Sequence, residues 1–469
     1  MRQCYNKILA ITVGVLASTG SYAQQQWLEK PLEYPLKMAL EQNAELQIKE
    51  LESNKTALEI GEVEAKRLPH VSAIGAYGYL NSTINLDIPT HELPLTGLEL
   101  FSGSQTVKNS SQLLVGGVSA QQVLFTGLQI PNGIKALEEK RKAQEWMQLA
   151  EKEKLVKEII ATFDQLMLLK HVDVLIEDSE RRLEKEHKKV LKAIDLGLAI
   201  PYDREKLKLA MLELEEKKVE VSGNRTLLLS KLQQLTHISS QELEEIEYEL
   251  AELKVEDVPL SADNRSELQA LKAGINAQEY VLKKEKGAKM PTVFAFGSAN
   301  YINAFNSNIT IKDAPISGDV ALKSNHLRLA PNFLVGIGAK WNIFDGGEQR
   351  KKIQKAEIDH QISIKKKQDT QDKLELLLDK NKTDYILSRQ KLKVGQQQII
   401  VSENNLRLAS KQFESGLIDL TERLAMENEY YKVSLNYFNQ ILNQRRSSIE
   451  LLHASGILLE KIFNNEENK

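Results

Sequence analysis

The residue types that most often perform catalysis are sparse in this sequence. It contains one cysteine, Cys4, and eight histidines, no two of which have the His-x-x-x-His spacing that suits a metal ion. Gly336-Ile337-Gly338 resembles part of a nucleotide fingerprint, but it lacks the third glycine and lies inside a predicted strand rather than after one. We therefore predict no catalytic residue, no metal site, no cofactor and no enzymatic activity. The histidines are His70, His91, His171, His187, His237, His326, His360 and His453.

Two carboxylates follow a glycine-leucine motif that occurs twice in the chain. Asp203 comes after Gly197-Leu198, and Glu422 comes after Gly416-Leu417. If several copies of the chain brought these carboxylates to one narrow opening, the like charges would favour cations and bind multivalent ones. The Tyr-Asp pair that contains Asp203 also suits an ordinary first helical turn after a proline, so both interpretations are kept.

Residues 332–347 have the alternation of an extended strand. Phe333, Val335 and Ile337 fall on one face, whereas the other face is small or polar. This pattern fits a half-buried strand of a soluble protein, and it also fits a membrane strand with lipid outside and water inside. Aromatic residues at the ends of membrane strands form a girdle at the interface, and the candidates here are Phe125, Trp341 and Phe344.

Long helices follow the strands. From Glu348 to Ser415 there is no proline and a single glycine, Gly395, which predicts a helix of roughly 100 Å. A second such stretch covers residues 134–196, and Leu207, Leu214 and Val221 then repeat every seven residues. Sustained heptads predict coiled-coil packing. No compact soluble core needs helices of this length, which favours the membrane interpretation of the strands.

The chain also reads as a tandem repeat. Phe125 and Gly127 correspond to Phe344 and Gly346, and Leu68-Pro69 corresponds to Met290-Pro291. The predicted segments are a leader at 1–23, a first repeat at 24–238, a linker at 239–262, a second repeat at 263–457 and a polar tail at 458–469. We expect an opening helix at 32–67, strands at about 70–81, 113–125, 292–303 and 333–344, and loops at 82–112 and 304–331.

The amino terminus has the form of a secretory signal peptide. Arg2 and Lys7 precede an apolar run, and Ser21-Tyr22-Ala23 has the small-x-small form of a cleavage site. Cys4 would leave with this leader, which predicts a mature chain without disulfides or a lipid anchor. The net charge of −3 is nearly neutral for 469 residues and argues against a nucleic-acid partner. The sequence contains no run of 18 apolar residues, and we expect no membrane helix.

Four strands cannot close a barrel, because the smallest barrels need about eight. A lipid-exposed open edge is not viable either. The membrane interpretation therefore requires several copies of the chain. Two copies would supply eight strands and three would supply twelve.

Several motifs resemble the TolC family of outer-membrane efflux channels. Residues 36–46 resemble the opening helix of that family, and residues 264–268 resemble its counterpart in the second half, with Ser266 where proline is usual. The Leu-Phe-x-Gly turn at Phe125 resembles its strand-to-helix turn. Each motif alone is weak, but the motifs occur in order, twice, over nearly all of the mature chain.

The resemblance implies a mixed fold of long α-helices and transmembrane β-strands. Each chain would supply four strands to a trimeric 12-stranded barrel in the outer membrane and would extend into the periplasm as a coiled-coil helical barrel. The implied function is a passive exit duct, with porin activity, for tripartite efflux or type I secretion. The implied partners are outer-membrane lipid, two further copies of the chain, a periplasmic adaptor (membrane fusion protein) and an inner-membrane pump of RND or ABC type.

The resemblance also assigns roles to residues at the predicted tip. Gly197, Leu198, Gly416 and Leu417 would contact the adaptor, and Tyr202, Asp203, Asp419 and Glu422 would form the periplasmic gate and its acidic ring. Phe125, Gly127, Phe344 and Gly346 would form the strand-to-helix turns. The second half departs from the family where Phe413, Ile418 and Ala425 replace a tyrosine, an arginine and an aspartate.

A periplasmic coiled-coil scaffold or adaptor without a pore is the alternative interpretation. Such a protein would contain the heptads, but it would not require two pairs of alternating strands at matching positions. The sequence leaves the cargo open, since drugs, metal ions, polypeptides and metabolites all suit a duct whose selectivity lies in the pump.

Overall fold

The computed structural model describes residues 28–87, 91–92, 99–101, 104–255, 259–314 and 318–463. The predicted leader at 1–23, which contains Cys4, lies outside these residues, as does the end of the predicted tail at 464–469. The helices are α1 (Glu33–Gln42), α2 (Ala44–Ala65), α3 (Gln129–Asp195), α4 (Pro201–Thr236), α5 (Ser240–Glu245), α6 (Ser266–Gly287), α7 (Glu348–Glu414), α8 (Leu420–Ala454) and α9 (Leu458–Phe463). The strands are β1 (His70–Asp87), β2 (His91–Glu92), β3 (Glu99–Phe101), β4 (Ser104–Phe125), β5 (Thr292–Ala314) and β6 (Gly318–Lys340).

The chain divides into two compact units. The first, a helical unit, contains the described residues of Met1–Asn43, Glu153–Ser261 and Leu378–Lys469. The second, a sheet unit, contains those of Ala44–Lys152 and Ala262–Leu377. None of the helices among the described residues has the length and apolar character needed to cross a membrane.

The sheet unit is built on an antiparallel four-stranded sheet with the order β1-β4-β5-β6. Residues that are partners across neighbouring strands share a face. One row of partners is Ala73, Val118, Ala299 and Phe333, so the apolar faces predicted for the separate strands lie on one side of the sheet. Val335 on this side is 84% exposed.

The opposite face is less polar than predicted. The rings of Phe294 and Phe296 on β5 lie against Gly338 and Gly336 on β6, within 3.0 Å of where a Cβ of either glycine would stand. The two glycines therefore make room for aromatic rings from the neighbouring strand. They have no part in a nucleotide fingerprint.

The strands are longer than predicted. The predicted loops at 82–112 and 304–331 are largely strand, because β1 continues to Asp87, β4 begins at Ser104, β5 continues to Ala314 and β6 begins at Gly318. The Ser, Thr and Asn residues of these segments led to the prediction of loops. Their main chains nevertheless pair in the strands, because polar side chains do not prevent main-chain pairing. At the other end β6 stops at Lys340, so Trp341 and Phe344 lie beyond the strand rather than in it.

Heptad residues form the core of the helical unit. Leu183 and Val190 of α3 and Leu207, Leu214 and Val221 of α4 are buried in one cluster, which confirms the predicted packing. After Val221 the pattern shifts, since Leu228 and Leu235, the next residues at the seven-residue spacing, are only half-buried. A straight helix drifts away from a seven-residue repeat, and the residues buried instead are Leu229, Leu232 and Thr236.

The predicted linker is an integral part of the helical unit. Leu243, Leu250 and Leu253 are buried, and the buried side chain of Gln444 accepts from Leu253 N at 2.9 Å and donates to Leu253 O at 2.8 Å. The amide of Gln444 thus pairs with the main chain as a neighbouring strand would. The segment after Thr236 is packed rather than a free connection.

Arg445 connects four parts of the helical unit. Its Nε donates to Asp164 on α3 at 2.9 Å, and its Nη1 donates to Glu29 at 2.6 Å and to Ala251 O at 3.0 Å. Tyr248 donates to the other oxygen of Asp164 at 2.6 Å. Burial lowers the pKa of Arg445, but the charges of Asp164 and Glu29 outweigh burial and raise that pKa above its usual value.

Two further predictions about the ends of the chain are wrong. The opening helix is interrupted at Asn43, whose extended backbone separates α1 from α2. The predicted tail at 458–469 is not polar throughout, because residues 458–463 form α9, on which Leu458 and Ile462 are buried. No glycine or proline marks the break at Asn43, so the sequence offered no strong signal for it.

Candidate functional site: two helical turns and two strand-to-helix turns

Two short turns connect the long helices of the helical unit. One joins α3 to α4 through Gly197, and the other joins α7 to α8 through Gly416. Both glycines have a left-handed backbone, with φ values of 70° and 72°. Residues with a Cβ rarely adopt this conformation, which explains why a glycine ends each long helix.

The two turns close with the same hydrogen bonds. Leu198 N donates to Ala193 O at 2.7 Å, and Leu417 N donates to Gln412 O at 2.9 Å. In both turns the glycine N–H donates to the carbonyl three residues earlier at 3.0 Å. This Schellman arrangement satisfies the last carbonyls of α3 and α7 and fixes the direction in which the chain leaves each helix.

The leucine after each glycine projects into solvent. Leu198 is 79% exposed and Leu417 is 75% exposed. Leu196, Ile200 and Tyr202 are also exposed around the first turn. Exposed apolar side chains of this kind are available for contact with another molecule, and the adaptor contact predicted for the two leucines stays a prediction.

Asp203 and Asp419 cap the helices that follow the turns. Asp419 Oδ1 accepts from Glu422 N at 2.8 Å and so caps the first turn of α8. Asp203 Oδ2 accepts from Ile200 N at 3.4 Å. The two aspartates therefore have a local structural role, and the carboxylate of Glu422 lies exposed on the first turn of α8.

Phe413 and Ile418, at the second turn, are integrated into the helical unit. Phe413 packs against the buried cluster of α3 and α4, and Ile418 is half-buried. Ala425 is exposed on α8.

Lys206 links the two halves of the predicted gate. Its Nζ lies 4.6 Å from the ring centroid of Tyr202, one helical turn earlier, and donates to Thr421 Oγ1 at 2.7 Å. The first turns of α4 and α8, which carry Asp203 and Glu422, are therefore neighbours in one chain. Sequence reasoning missed Lys206, although its spacing from Tyr202 was a visible signal.

A buried ionic cluster joins α3 to α8. Arg182 Nε and Nη2 donate to Glu427 Oε1 at 2.9 and 2.8 Å. On the other side Arg423 Nη1 lies 3.0 Å from Glu427 Oε2. Glu427 is 4% exposed and Arg423 is 1% exposed. Sequence reasoning missed this cluster too, and its only signal was the four-residue spacing of Arg423 and Glu427.

A more exposed ion pair joins α3 to α7 near the ends of the two helices. Lys189 Nζ donates to Glu414 Oε1 at 2.5 Å. This hydrogen bond holds the pKa of Glu414 below its usual value. Since both side chains are accessible, solvent screens the interaction and its effect on stability is small.

The two strand-to-helix turns differ in how closely they are packed. Gly127, with φ of 62°, lies so close to α6 that a Cβ would stand 2.1 Å from Gly287 O. Gly346, with φ of 67°, has open space where its Cβ would be. Phe125 ends β4 and is partly exposed, whereas Phe344 follows β6 and is 89% exposed.

Within the described residues no group of three or more His, Cys, Asp or Glu side chains has the geometry of a metal site.

Comparison with known proteins finds a family match for the second half of the chain and a similar fold over nearly all of it. Residues 258–457 match the family model described as outer membrane efflux protein. The CmeC outer membrane channel of Campylobacter jejuni aligns with 95% of this chain and 89% of its own, with 13% identity and a TM-score of 0.71. VceC of Vibrio cholerae aligns with 91% of this chain and 96% of its own, with 14% identity and a TM-score of 0.69.

A membrane protein of Pseudomonas aeruginosa has a similar fold, with 14% identity, a TM-score of 0.72, and coverage of 91% of this chain and 94% of its own. At such identities the likeness establishes the fold alone. No curated protein sequence matches the chain.

Proposed function

We propose, from the premise that residues 258–457 belong to the outer membrane efflux protein family, that this chain is one subunit of a trimeric outer-membrane channel-tunnel. It acts as a passive exit duct for tripartite efflux or type I secretion. A periplasmic adaptor and an inner-membrane pump open it at its periplasmic tip. Cargo passes without chemistry, and no cofactor takes part.

The observation that carries this proposal is the uncovered apolar face of the four-stranded sheet. Val71, Tyr77, Phe333, Val335 and Ile337 are all exposed on that face. An antiparallel sheet of a soluble protein turns its apolar face to a core, and an uncovered face of this size needs lipid or another chain. Three copies would supply twelve strands, and the apolar face would contact the lipid of the outer membrane.

The helical turns provide the periplasmic end in this proposal. Leu198 and Leu417, presented by Gly197 and Gly416, contact the adaptor. Asp203 and Glu422, with Tyr202 and Asp419 beside them, line the mouth when three copies assemble. Because Phe413 and Ile418 are apolar, the interactions that keep the mouth closed come from other residues of the chain.

Single-channel recording in planar bilayers tests the function directly. We expect the purified mature protein to give a small, stable, cation-selective conductance. A millimolar divalent or trivalent cation, added from one side, should block it, since multivalent cations bind a ring of carboxylates. Absence of insertion and conductance would overturn the proposal.

Migration in detergent gels distinguishes a channel from a periplasmic coiled-coil scaffold. A membrane-inserted oligomer should migrate as a stable, heat-modifiable species, because its strands unfold only on heating. A chain that migrates at its monomer mass without heating, and that fractionates with soluble periplasmic proteins, would favour the scaffold instead.

A further inference from the structure

The four-stranded sheet has two open edges. Among the described strands, β1 pairs only with β4, and β6 pairs only with β5. Edge strands present a row of unpaired N–H and C=O groups. In a membrane, where the proposed function places this sheet, such groups need a partner, and the internal correspondence of the chain identifies which residues meet.

The two hairpins of the sheet pair in the same register. The β1–β4 partners run from His70 with Gln121 to Gly78 with Leu113. The β5–β6 partners run from Thr292 with Lys340 to Asn300 with Asn332. The correspondence that aligns Pro69 with Pro291 and Phe125 with Phe344 converts each of these β1–β4 pairs into a β5–β6 pair. The hairpins therefore agree residue by residue over this stretch.

Side chains at the base of the hairpins agree as well. Gln122 Nε2 donates to Arg67 O at 3.2 Å, and Trp341 Nε1 donates to Lys289 O at 3.0 Å. Gln122 corresponds to Trp341, and Arg67 corresponds to Lys289. Two different side chains thus make the same kind of hydrogen bond at matching positions. This agreement supports the use of the correspondence to predict contacts between two copies of the chain.

The pairing of β4 with β5, which joins the two hairpins in one chain, predicts the register in which the open edges β6 and β1 pair. In this chain β4 of the first hairpin pairs with β5 of the second, with Gly116 opposite Tyr301, Gly117 opposite Asn300 and Val118 opposite Ala299. We propose that β6 pairs with β1 of a second copy in the corresponding register. Val335 then lies opposite Tyr79 of the second copy, Gly336 opposite its Gly78, and Ile337 opposite its Tyr77.

The faces of the two strands agree with this register. Val335 and Ile337 lie on the exposed apolar face of β6, and Tyr77 and Tyr79 lie on the exposed apolar face of β1. A slip of one residue would place Val335 beside residues of the opposite face. The contact joins two different surfaces of the chain, and a heterologous contact of this kind builds a closed ring when the rotation permits.

The correspondence ends at the strand-to-helix turns. Gly127 packs against Gly287 so closely that a Cβ on Gly287 would stand 2.0 Å from Gly127 O. The position that corresponds to Gly287 is Ala65, whose Cβ excludes an equally close approach of Gly346. The proposal therefore concerns the strands, and the turn at Gly346 sits differently against the second copy.

Disulfide trapping tests the register in the intact protein. In a Cys4→Ser background the chain has no cysteine, so every cross-link comes from introduced residues. The test pairs are Gly78→Cys with Gly336→Cys and Tyr77→Cys with Ile337→Cys. Neighbouring positions alternate between hydrogen-bonded and non-hydrogen-bonded pairs, so one test pair has each geometry. We expect covalent dimers and trimers on non-reducing denaturing gels.

The controls shift one partner by two residues, to Gly75→Cys or Tyr79→Cys with Ile337→Cys. Diagonal positions are about 7–8 Å apart, which exceeds the usual reach of a disulfide, so the controls should stay monomeric. Each double variant is first checked for heat-modifiable migration and conductance under reducing conditions.

The outcomes separate the register from the proposed function. Cross-linking of a control in place of the test pairs would overturn this register and leave the channel intact. The register is equally wrong if conducting, heat-modifiable oligomers form and no test pair cross-links. Loss of oligomer and conductance in the parent background would instead overturn both the register and the proposed function.

Discussion

At the scale of single residues, Glu427 is the side chain on which the contact between α3 and α8 most depends. It accepts from Arg182 on α3 and lies 3.0 Å from Arg423 on its own helix. We expect Glu427→Ala to lower the free energy of unfolding of the assembled protein by about 3 kcal/mol, because removal of one partner leaves buried charge uncompensated. Chemical denaturation in detergent, followed by circular dichroism, measures the loss.

Glu450 provides the matched control for that experiment. Its carboxylate accepts from Lys157 at 3.1 Å and also joins α8 to α3, but both side chains are more than a quarter exposed. Glu450→Ala should lower the free energy of unfolding by less than about 1 kcal/mol. Equal losses for the two variants would show that burial of the Glu427 cluster has no special importance.

The sequence predicted the local roles of residues better than their partners. The ends of the long helices follow from Gly197 and Gly416, and both glycines have the left-handed backbone of a helix end. Lys206 and Arg182 act on residues of a different helix hairpin, Thr421 and Glu427. Both are common residue types on charged helices, and a single sequence does not show which residue of another helix each of them contacts.

At the scale of elements, Gln444 attaches the segment after α5 to α8. Its amide makes two hydrogen bonds to the main chain of Leu253 at 2.8 and 2.9 Å. We expect Gln444→Leu to lower the free energy of unfolding by about 2–3 kcal/mol, since a buried N–H and a buried C=O would lose their partners. Denaturant unfolding measures the effect, with the exposed neighbour Asn443→Leu as a control that should change little.

The contact of α3 with α8 also predicts a dependence on pH. His171 stacks on Phe438 with ring centroids 5.1 Å apart. Burial lowers the pKa of His171, and the charge of Glu249, which acts to raise that pKa, is the smaller effect. The unfolded chain therefore binds this proton more readily than the folded one. The resulting stability is present above a pH of about 6.5, the usual histidine pKa, and is lost as the pH falls from there through the lower pKa of the folded chain.

His171→Phe isolates this contribution, because phenylalanine retains the stacking and cannot be protonated. The variant should lose less thermal stability than the parent when the pH is lowered from about 7.5 to about 5.5, on either side of the usual histidine pKa. Thermal denaturation in detergent at the two pH values gives the comparison. Identical losses in parent and variant would show that other groups account for the acid sensitivity.

The sequence predicted the helices more accurately than the strands. Absence of glycine and proline located α3 and α7 almost to their ends. The strands were underestimated, because Ser, Thr and Asn between residues 82 and 112 are typical of loops although their main chains pair in β1 and β4. Composition describes side chains, whereas pairing depends on a neighbouring strand that a linear pattern does not include.

At the scale of the whole molecule, the family resemblance is confirmed by the match of residues 258–457. The predicted adaptor contacts and the acidic mouth remain predictions, because both depend on other chains. If Leu198 and Leu417 contact the adaptor, replacing both with Glu should abolish export while heat-modifiable assembly persists. Dye efflux from cells that contain the native adaptor and pump measures this, and Leu198→Met with Leu417→Met should retain efflux.

The acidic mouth gives the sharpest test of how three copies meet. Replacement of both Asp203 and Glu422 with Ala would remove six carboxylates from a trimer, if they converge as proposed. We expect a higher conductance or weaker cation selectivity in planar bilayers, together with weaker block by multivalent cations, because fixed charge at a constriction sets all three. Glu213→Ala with Glu216→Ala removes as many exposed carboxylates from α4 at a distance from the turn and should leave all three unchanged. If the first variant behaves as the control does, these side chains do not line the mouth, and the role of Asp203 is its hydrogen bond from Ile200 N.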